Sequence, residues 1–429
     1  MGIAGLQVPQ QRQEPGVEES FWSKRFSRIW PLIWPAGVTL PAQIAALWLY
    51  ARAQHFHRIT DFIFIGRPFS TPLGLATLAM PSDGYDGQFY YYIARLPFHA
   101  PPGSFDGTAE RYSRILYPAL VRLVSLGHAS VIPWAMLGIN LAAITGTVAL
   151  LSWLLRERGL PAWLALVGGF YCGFALGTLR DLADPLLGFW LMLALVWMQR
   201  RQWLLVAGSL ALGLLTRETA LTFVVCFAVP LLLERAPRRL KIAAEGLRPS
   251  RAEMKHSRIA ALLERRWLLL GGYFLITFGP YLAWQVVLHQ WLGVWGLHDT
   301  LFNSSNNLTR IPFIGLKAAP DLHTLIQFIL FACVPAVAGV IGGLLTLWEC
   351  PIRDAPRLAA ALGALAYGAA FMLQPGAHWL DIWAPMRLAI PLAVLFPLLL
   401  PQSQRWWRPA WLALLALMIF SFTLALAPT

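Results

Sequence analysis

Charge is scarce in this sequence: Asp, Glu, Lys and Arg make up 13% of the chain, against 57% hydrophobic residues. A soluble domain carries about 25% charged and roughly 45–50% apolar residues. The shortfall excludes an ordinary water-soluble fold and points to a bilayer as the main solvent. Lysine is nearly missing (Lys24, Lys241, Lys255 and Lys317), so the basic residues are almost all Arg, a bias expected of a GC-rich bacterial genome. The formal net charge of +13 does not indicate nucleic acid, because the basic residues recur between apolar runs, as orientation signals do. Cysteine is limited to Cys172, Cys226, Cys333 and Cys350. Their spacing fits no zinc or redox motif, which leaves them as packing residues. The loops expected on the cytoplasmic side lack G-x-G-x-x-G, G-x-x-x-x-G-K-[ST] and any aspartate pair placed to hold a nucleotide-bound metal. The first twenty residues are Gln- and Glu-rich without an apolar core, so the expectation is a cytoplasmic tail over 1–28 and a retained first span.

Apolar length and aromatic rings are abundant, with 20 Trp and 24 Phe, as in the belts where helices meet headgroups. About 20 apolar residues cross a hydrocarbon core of about 30 Å. The segments 29–53, 131–155, 161–179, 183–199, 203–216, 218–233, 267–291, 323–348, 357–373, 384–401 and 410–427 are candidates. A single helix over 203–233 would run about 46 Å, with Arg217 and Glu218 near its centre, where charge is costly. Two short helices meeting at Thr216–Thr219 avoid both problems, and the same reasoning divides 161–199 at Arg180–Asp184. The expected fold is all-α, a polytopic membrane protein with about eleven transmembrane helices. Its parts are the tail, an N-terminal module 29–233 with a long first outer loop 54–130, a basic cytoplasmic loop 234–266 and a C-terminal module 267–429. With the N-terminus in the cytoplasm, 22 of the 34 Lys and Arg fall on the inner side, in keeping with the positive-inside rule.

In this topology polar detail collects on the outer side. Asp83, Asp86, Arg180, Asp181, Asp184, Arg217, Glu218, His378, Asp381 and Arg387 all fall at helix ends or in loops there. Ionisable groups so close to hydrocarbon are functional candidates by default. Nucleotide sugars and ATP are cytoplasmic, so an outward acid–base site needs a donor already across the membrane, and a lipid phosphate sugar meets that need. Asp83 and Asp86, separated by Gly84 and Tyr85, are the candidate catalytic carboxylates, since transfer to a hydroxyl needs a base. The bland alternative is that Asp83 caps a helix beginning near Gly87 or that both acids are solvated. Stretches 87–97 and 112–126 are amphipathic enough to lie along the membrane surface. Asn303 and Asn307 begin N-glycosylation patterns without meaning in a bacterium.

The run Tyr85-Asp86-Gly87-Gln88-Phe89-Tyr90 followed by Ile93-Ala94 resembles the W-D-G-x-W-Y-x-x-I-A pattern of the GT-C superfamily of membrane glycosyltransferases, closest to bacterial relatives of the glycosylphosphatidylinositol mannosyltransferases. Tyr85 and Phe89 stand where that pattern has Trp. Arg111–Pro118, Arg180–Pro185 and Thr216–Ala220 also look like stretches of that superfamily, while the C-terminal half is similar only in hydropathy. The resemblance implies a polyprenyl-phosphate sugar donor, a lipid, glycan or protein acceptor, inversion at the anomeric carbon and a bacterial inner-membrane location. It assigns the base to Asp86, with Asp83 in reserve, and calls for no cofactor; a divalent cation shared by Asp83, Asp86 and Asp181 stays open. Cations at the departing phosphate stabilise its charge: Arg217 first, then Arg387, His378 and Arg114, with ion pairing, interfacial anchoring or snorkelling as their alternatives. Gln88, Tyr90, Tyr91, Arg180, Asp181, Asp184 and Glu218 are expected around the sugar or acceptor. Rival readings are a transporter or flippase for lipid-linked sugars and a non-catalytic envelope-assembly protein.

Overall fold

The computed structural model describes residues 21–99, 101–233, 251–297, 308–349, 354–381 and 383–399, with isolated positions from 409 to 422. Most of the tail 1–28, half of the basic loop 234–266, Asn303 and Asn307, and most of the expected span 410–427 lie outside the described residues. Among the described residues the chain is all-helical, and its one β feature is an isolated bridge between Gly66 and Met80.

Four helical stretches are long and apolar enough to cross a bilayer: Ile132–Glu157, Arg266–Leu292, Leu322–Glu349 and Ala355–Met372. A fifth arises if the segments Ala162–Gly169 and Cys172–Leu179, bent by 46°, form one span. Others are apolar but shorter. Asp184–Gln199 has 16 residues and reaches about 24 Å, less than a full hydrocarbon core.

We label the helices α1 (Phe21–Ala53), α2 (Gly87–Arg95), α3 (Thr108–Ser113), α4 (Leu116–Ser125), α5 (Ile132–Glu157), α6 (Cys172–Leu179), α7 (Asp184–Gln199), α8 (Trp203–Thr216), α9 (Ala220–Leu233), α10 (Arg251–Leu292), α11 (Leu322–Phe328), α12 (Val334–Glu349), α13 (Ala355–Met372) and α14 (Ala384–Leu388). The apolar stretches 161–199 and 203–233 break where charge makes a continuous span costly: Arg180–Ala183 separates α6 from α7, and Arg217–Thr219 separates α8 from α9. Pro133 and Pro185 stand in the first turns of α5 and α7, where a missing N–H costs nothing. Asp354 caps α13 by accepting from the Arg357 N–H at 3.2 Å.

Helix α5 packs on α1 and α7, α8 on α7 and α10, and α13 on α9 and α12. One extended apolar core runs through these helices. Much of the exterior is apolar too, including Trp48, Leu268, Leu275, Leu344 and Trp348; exposed apolar groups in such number fit lipid better than water.

The segment 54–130 does not lie flat on this bundle. It folds into a cap with a core of its own, made by Ile63, Ile65, Phe89–Tyr92, Tyr117 and Val121 with Ile132, Met136 and Leu186. The surface placement expected for 87–97 is therefore corrected: every residue from Gly87 to Ala94 is buried. Interlocking rings of Phe69, Phe89, Tyr92 and Phe105 hold α2 inside the cap. Helix α4 keeps the amphipathic character, with Leu123 and Val124 largely exposed and Tyr117 and Val121 buried.

Candidate functional site

Asp86 occupies the position just before α2, but its side chain caps nothing. Gly87 explains the location of this turn: a Cβ there would overlap the carbonyl oxygen of Arg180. The absence of a side chain seats the start of α2 directly on the α6–α7 hinge. The freed carboxylate is gripped by two guanidiniums, Arg111 on one oxygen and Arg387 on the other, each at 2.9 Å. Its side chain remains 19% exposed.

These contacts belong to a chain of alternating charge. Arg111, from α3, also donates Nε and Nη2 to Asp106 at 2.9 and 2.7 Å and stacks on Phe89. Arg387, from α14, stacks on Tyr85 and approaches Asp184 at 3.6 Å. Asp184, at the start of α7, is paired with Arg217. Beside this chain, Arg114 forms a two-pronged bridge to Glu218 at 2.8 Å on each oxygen and reaches Glu110 at 3.0 Å. Removing one partner from a buried pair of this kind costs about 3–5 kcal/mol, so the network is a strong constraint on geometry.

Electrostatics follow from the pairing. Burial alone would raise the Asp86 carboxyl; Arg111 and Arg387 outweigh it and hold the group well below the usual carboxylate range. Glu218, in the turn between α8 and α9, is likewise pushed up by burial, but Arg114 and Arg217 bring it down to about 2. His378, in the turn Gly376–Trp379, is held below its ordinary value by burial and by the positive field of Arg217, Arg387 and Arg114. It is therefore a neutral imidazole at pH 7.

The other expected residues divide. Tyr90 is buried on α2 and feels the charges of Arg114, Arg217, Asp86 and Asp184, so it borders the cluster. Asp83 is exposed and contributes only its carbonyl, which accepts from Gln88 at 3.0 Å. Gln88 is a clip: it also accepts from the Gly66 N–H at 3.0 Å, tying α2 to the preceding loop. Tyr91 points to Arg95. Asp181 is fully buried at φ +51°, with both carboxylate oxygens lacking a partner among the described residues; burial raises its carboxyl well above the usual range. Arg180, also buried, lies against the rings of Phe64 and Trp383 at 4.2 and 4.4 Å. Each such contact is worth about 0.5–2 kcal/mol, less than the several kcal/mol needed to desolvate an ion.

Arg111, Asp106, Glu110 and Tyr85 complete the site without having been singled out as functional from the sequence. The Arg111–Arg114 spacing of three, which puts both on one helical face, is the signal that points to the first. Asp381 accepts from the Tyr85 hydroxyl and, at 3.0 Å, from the Trp383 N–H, so the loop between α13 and α14 is latched to the Asp86 turn. Among the described residues no three His, Cys, Asp or Glu side chains converge as a donor set for a divalent cation. An apolar hollow of about 500 Å³ lies between α2, α4 and Trp284 of α10. Ile115 lines it, while its neighbour Arg114 turns into the charged cluster.

Comparison of the sequence with models of known protein families gives no match, and comparison with curated proteins gives none either.

Proposed function

We propose that this chain is a membrane glycosyltransferase that moves a sugar from a polyprenyl-phosphate donor to an acceptor hydroxyl on the outer face of a bacterial inner membrane. The observation that carries the reading is the convergence of Asp86, Asp184 and Glu218 with four arginines. These seven residues come from five separate parts of the chain and meet at the junction of the cap and the helical bundle. A charged cluster at such a junction suits a donor whose tail is apolar and whose reacting end is anionic. The apolar hollow beside α4 offers room for part of a lipid chain. In this reading α1 and the short apolar helices count as spans together with the longer ones, giving about eleven, and the cap faces outward.

Asp86 takes the proton of the acceptor hydroxyl as its oxygen bonds to the anomeric carbon and the sugar–phosphate bond breaks. A carboxylate gripped by two guanidiniums is a weak base, so one of them lets go when substrates bind. Arg387 is the better placed, because it already leans on Asp184 and can pass to it entirely. Its departure raises the proton affinity of Asp86 at the moment the base is needed. Tyr90 and neutral His378 border the sugar.

The test is an assay of the purified protein with a panel of polyprenyl-phosphate sugars, measuring release of polyprenyl phosphate. Asp86→Asn is expected to lower the rate by about 10²–10⁴-fold with normal expression and an unchanged elution profile. Product formation at the wild-type rate in that variant rules out the assigned base.

A further inference from the structure

The arginines near Asp86 are of two kinds. Arg111, Arg114, Arg217 and Arg387 each face a carboxylate. Arg180 does not. Among the described residues its guanidinium donates only to the Leu179 carbonyl at 3.1 Å and the Tyr50 hydroxyl at 2.8 Å, although the residue is only 5% exposed. A buried cation without a counter-charge is an expensive arrangement, and aromatic rings offset only part of the cost.

The geometry of the box is specific. Tyr50 comes from the end of α1, Phe64 from the cap and Trp383 from the last outer loop, so three distant segments gather round one cation. The rings lie against the guanidinium, and Nη1 and Nη2 spend one hydrogen each, on Leu179 and Tyr50, which leaves three of its five N–H groups. The remaining N–H groups of such a fork are the kind that bind the oxygens of a phosphate. The box also adjoins the reacting end of the site. The Arg180 carbonyl is the seat of Gly87. The Phe64 carbonyl accepts from the Tyr85 N–H at 2.9 Å, and Trp383 shares Asp381 with the Tyr85 hydroxyl.

We infer that Arg180 is the point at which this protein recognises the phosphate of its lipid-linked sugar. The inference rests on the proposed function and goes beyond it, since it separates Arg180 from the sugar and acceptor contacts and removes the paired arginines from first place at the phosphate. A phosphate arriving at Arg111, Arg114, Arg217 or Arg387 must compete with a carboxylate already in place and is repelled by it. At Arg180 it supplies the missing counter-charge.

The experiment is equilibrium binding of undecaprenyl phosphate and of the uncharged undecaprenol to the full chain in phosphatidylcholine nanodiscs. Wild type is expected to bind the phosphate at least about tenfold more tightly than the alcohol, the size of a charge-assisted contact. Arg180→Gln brings that ratio close to one while alcohol binding persists. Arg180→Lys keeps the charge but loses the fork, and lowers the ratio by about threefold or more. A purely structural arginine lowers the melting temperature and both affinities together and leaves the ratio intact, which overturns the inference. Should Arg180→Gln not fold, the Lys variant decides, and an unchanged ratio there overturns it. Discrimination retained in Arg180→Gln defeats the Arg180 assignment alone. Absence of discrimination in wild type defeats it together with the polyprenyl-phosphate reading. Equal displacement by phosphatidylglycerol identifies an ordinary headgroup as the ligand and overturns the donor assignment.

Discussion

Asp181 and Asp86 lie on either side of one backbone contact and have opposite electrostatics. Asp86 has two cations and stays ionised. Asp181 has none, and burial favours its protonated form. A carboxyl whose folded value lies above its unfolded value supports the fold while protonated. Stability then falls by about 1.4 kcal/mol per pH unit as pH rises from the ordinary carboxylate range towards the folded value. Asn is uncharged at every pH, so Asp181→Asn is expected to raise the thermal midpoint in detergent, and by more at pH 8 than at pH 5. A midpoint difference that does not change with pH removes the neutral-acid description. Asp86 stands out in the sequence as an acid in the Gly84–Gly87 turn of a long loop between apolar runs. Its pairings do not: Arg111 and Arg387 lie 25 and 301 positions away, and no local pattern encodes such contacts.

Among the elements, α2 shows how far residue type misleads about placement. A Phe-Tyr-Tyr-Tyr run reads equally well as a membrane-interface belt or as the wall of a sugar site. In the fold it is mostly the core of a cap: Tyr90 borders the charges and Phe89 carries Arg111 on its ring face, while Tyr92 packs inside. Periodicity cannot make that distinction, because it depends on what the cap packs against. The breaks at Arg180–Ala183 and Arg217–Thr219 were legible, because the cost of burying charge acts locally. The position of α2 depends on Gly87, whose missing side chain admits the Arg180 carbonyl. A backbone oxygen cannot turn aside as a rotamer can, so Gly87→Ala must displace the helix and Asp86 with it. Activity is expected to fall by about 10²-fold, in line with the cost of ångström-scale misplacement, and the melting temperature with it. Gly37→Ala on α1, where a Cβ meets nothing within 4 Å, is the matched control and should leave both unchanged. Equal behaviour of the two variants would refute the seating argument.

For the whole molecule, the proposed orientation puts the cap outside and the turn between α7 and α8 inside. Cys172, Cys226 and Cys333 are buried, so labelling needs only Cys350→Ser as background. In that background, a cysteine introduced as Ser82→Cys, in the exposed part of the cap, should react with an impermeant maleimide on intact cells. One introduced as Gln202→Cys, exposed between α7 and α8, should react only after permeabilisation. The reverse pattern would place Asp86 in the cytoplasm and end the glycosyl-transfer reading. The Asp86–Arg387 pair has a further consequence for biosynthesis. Translation makes Asp86 long before Arg387, 301 positions later. Until Arg387 has been made, the nascent cap holds the Asp86 carboxylate against Arg111 alone, and the second half of its clasp closes only once α14 has joined the bundle.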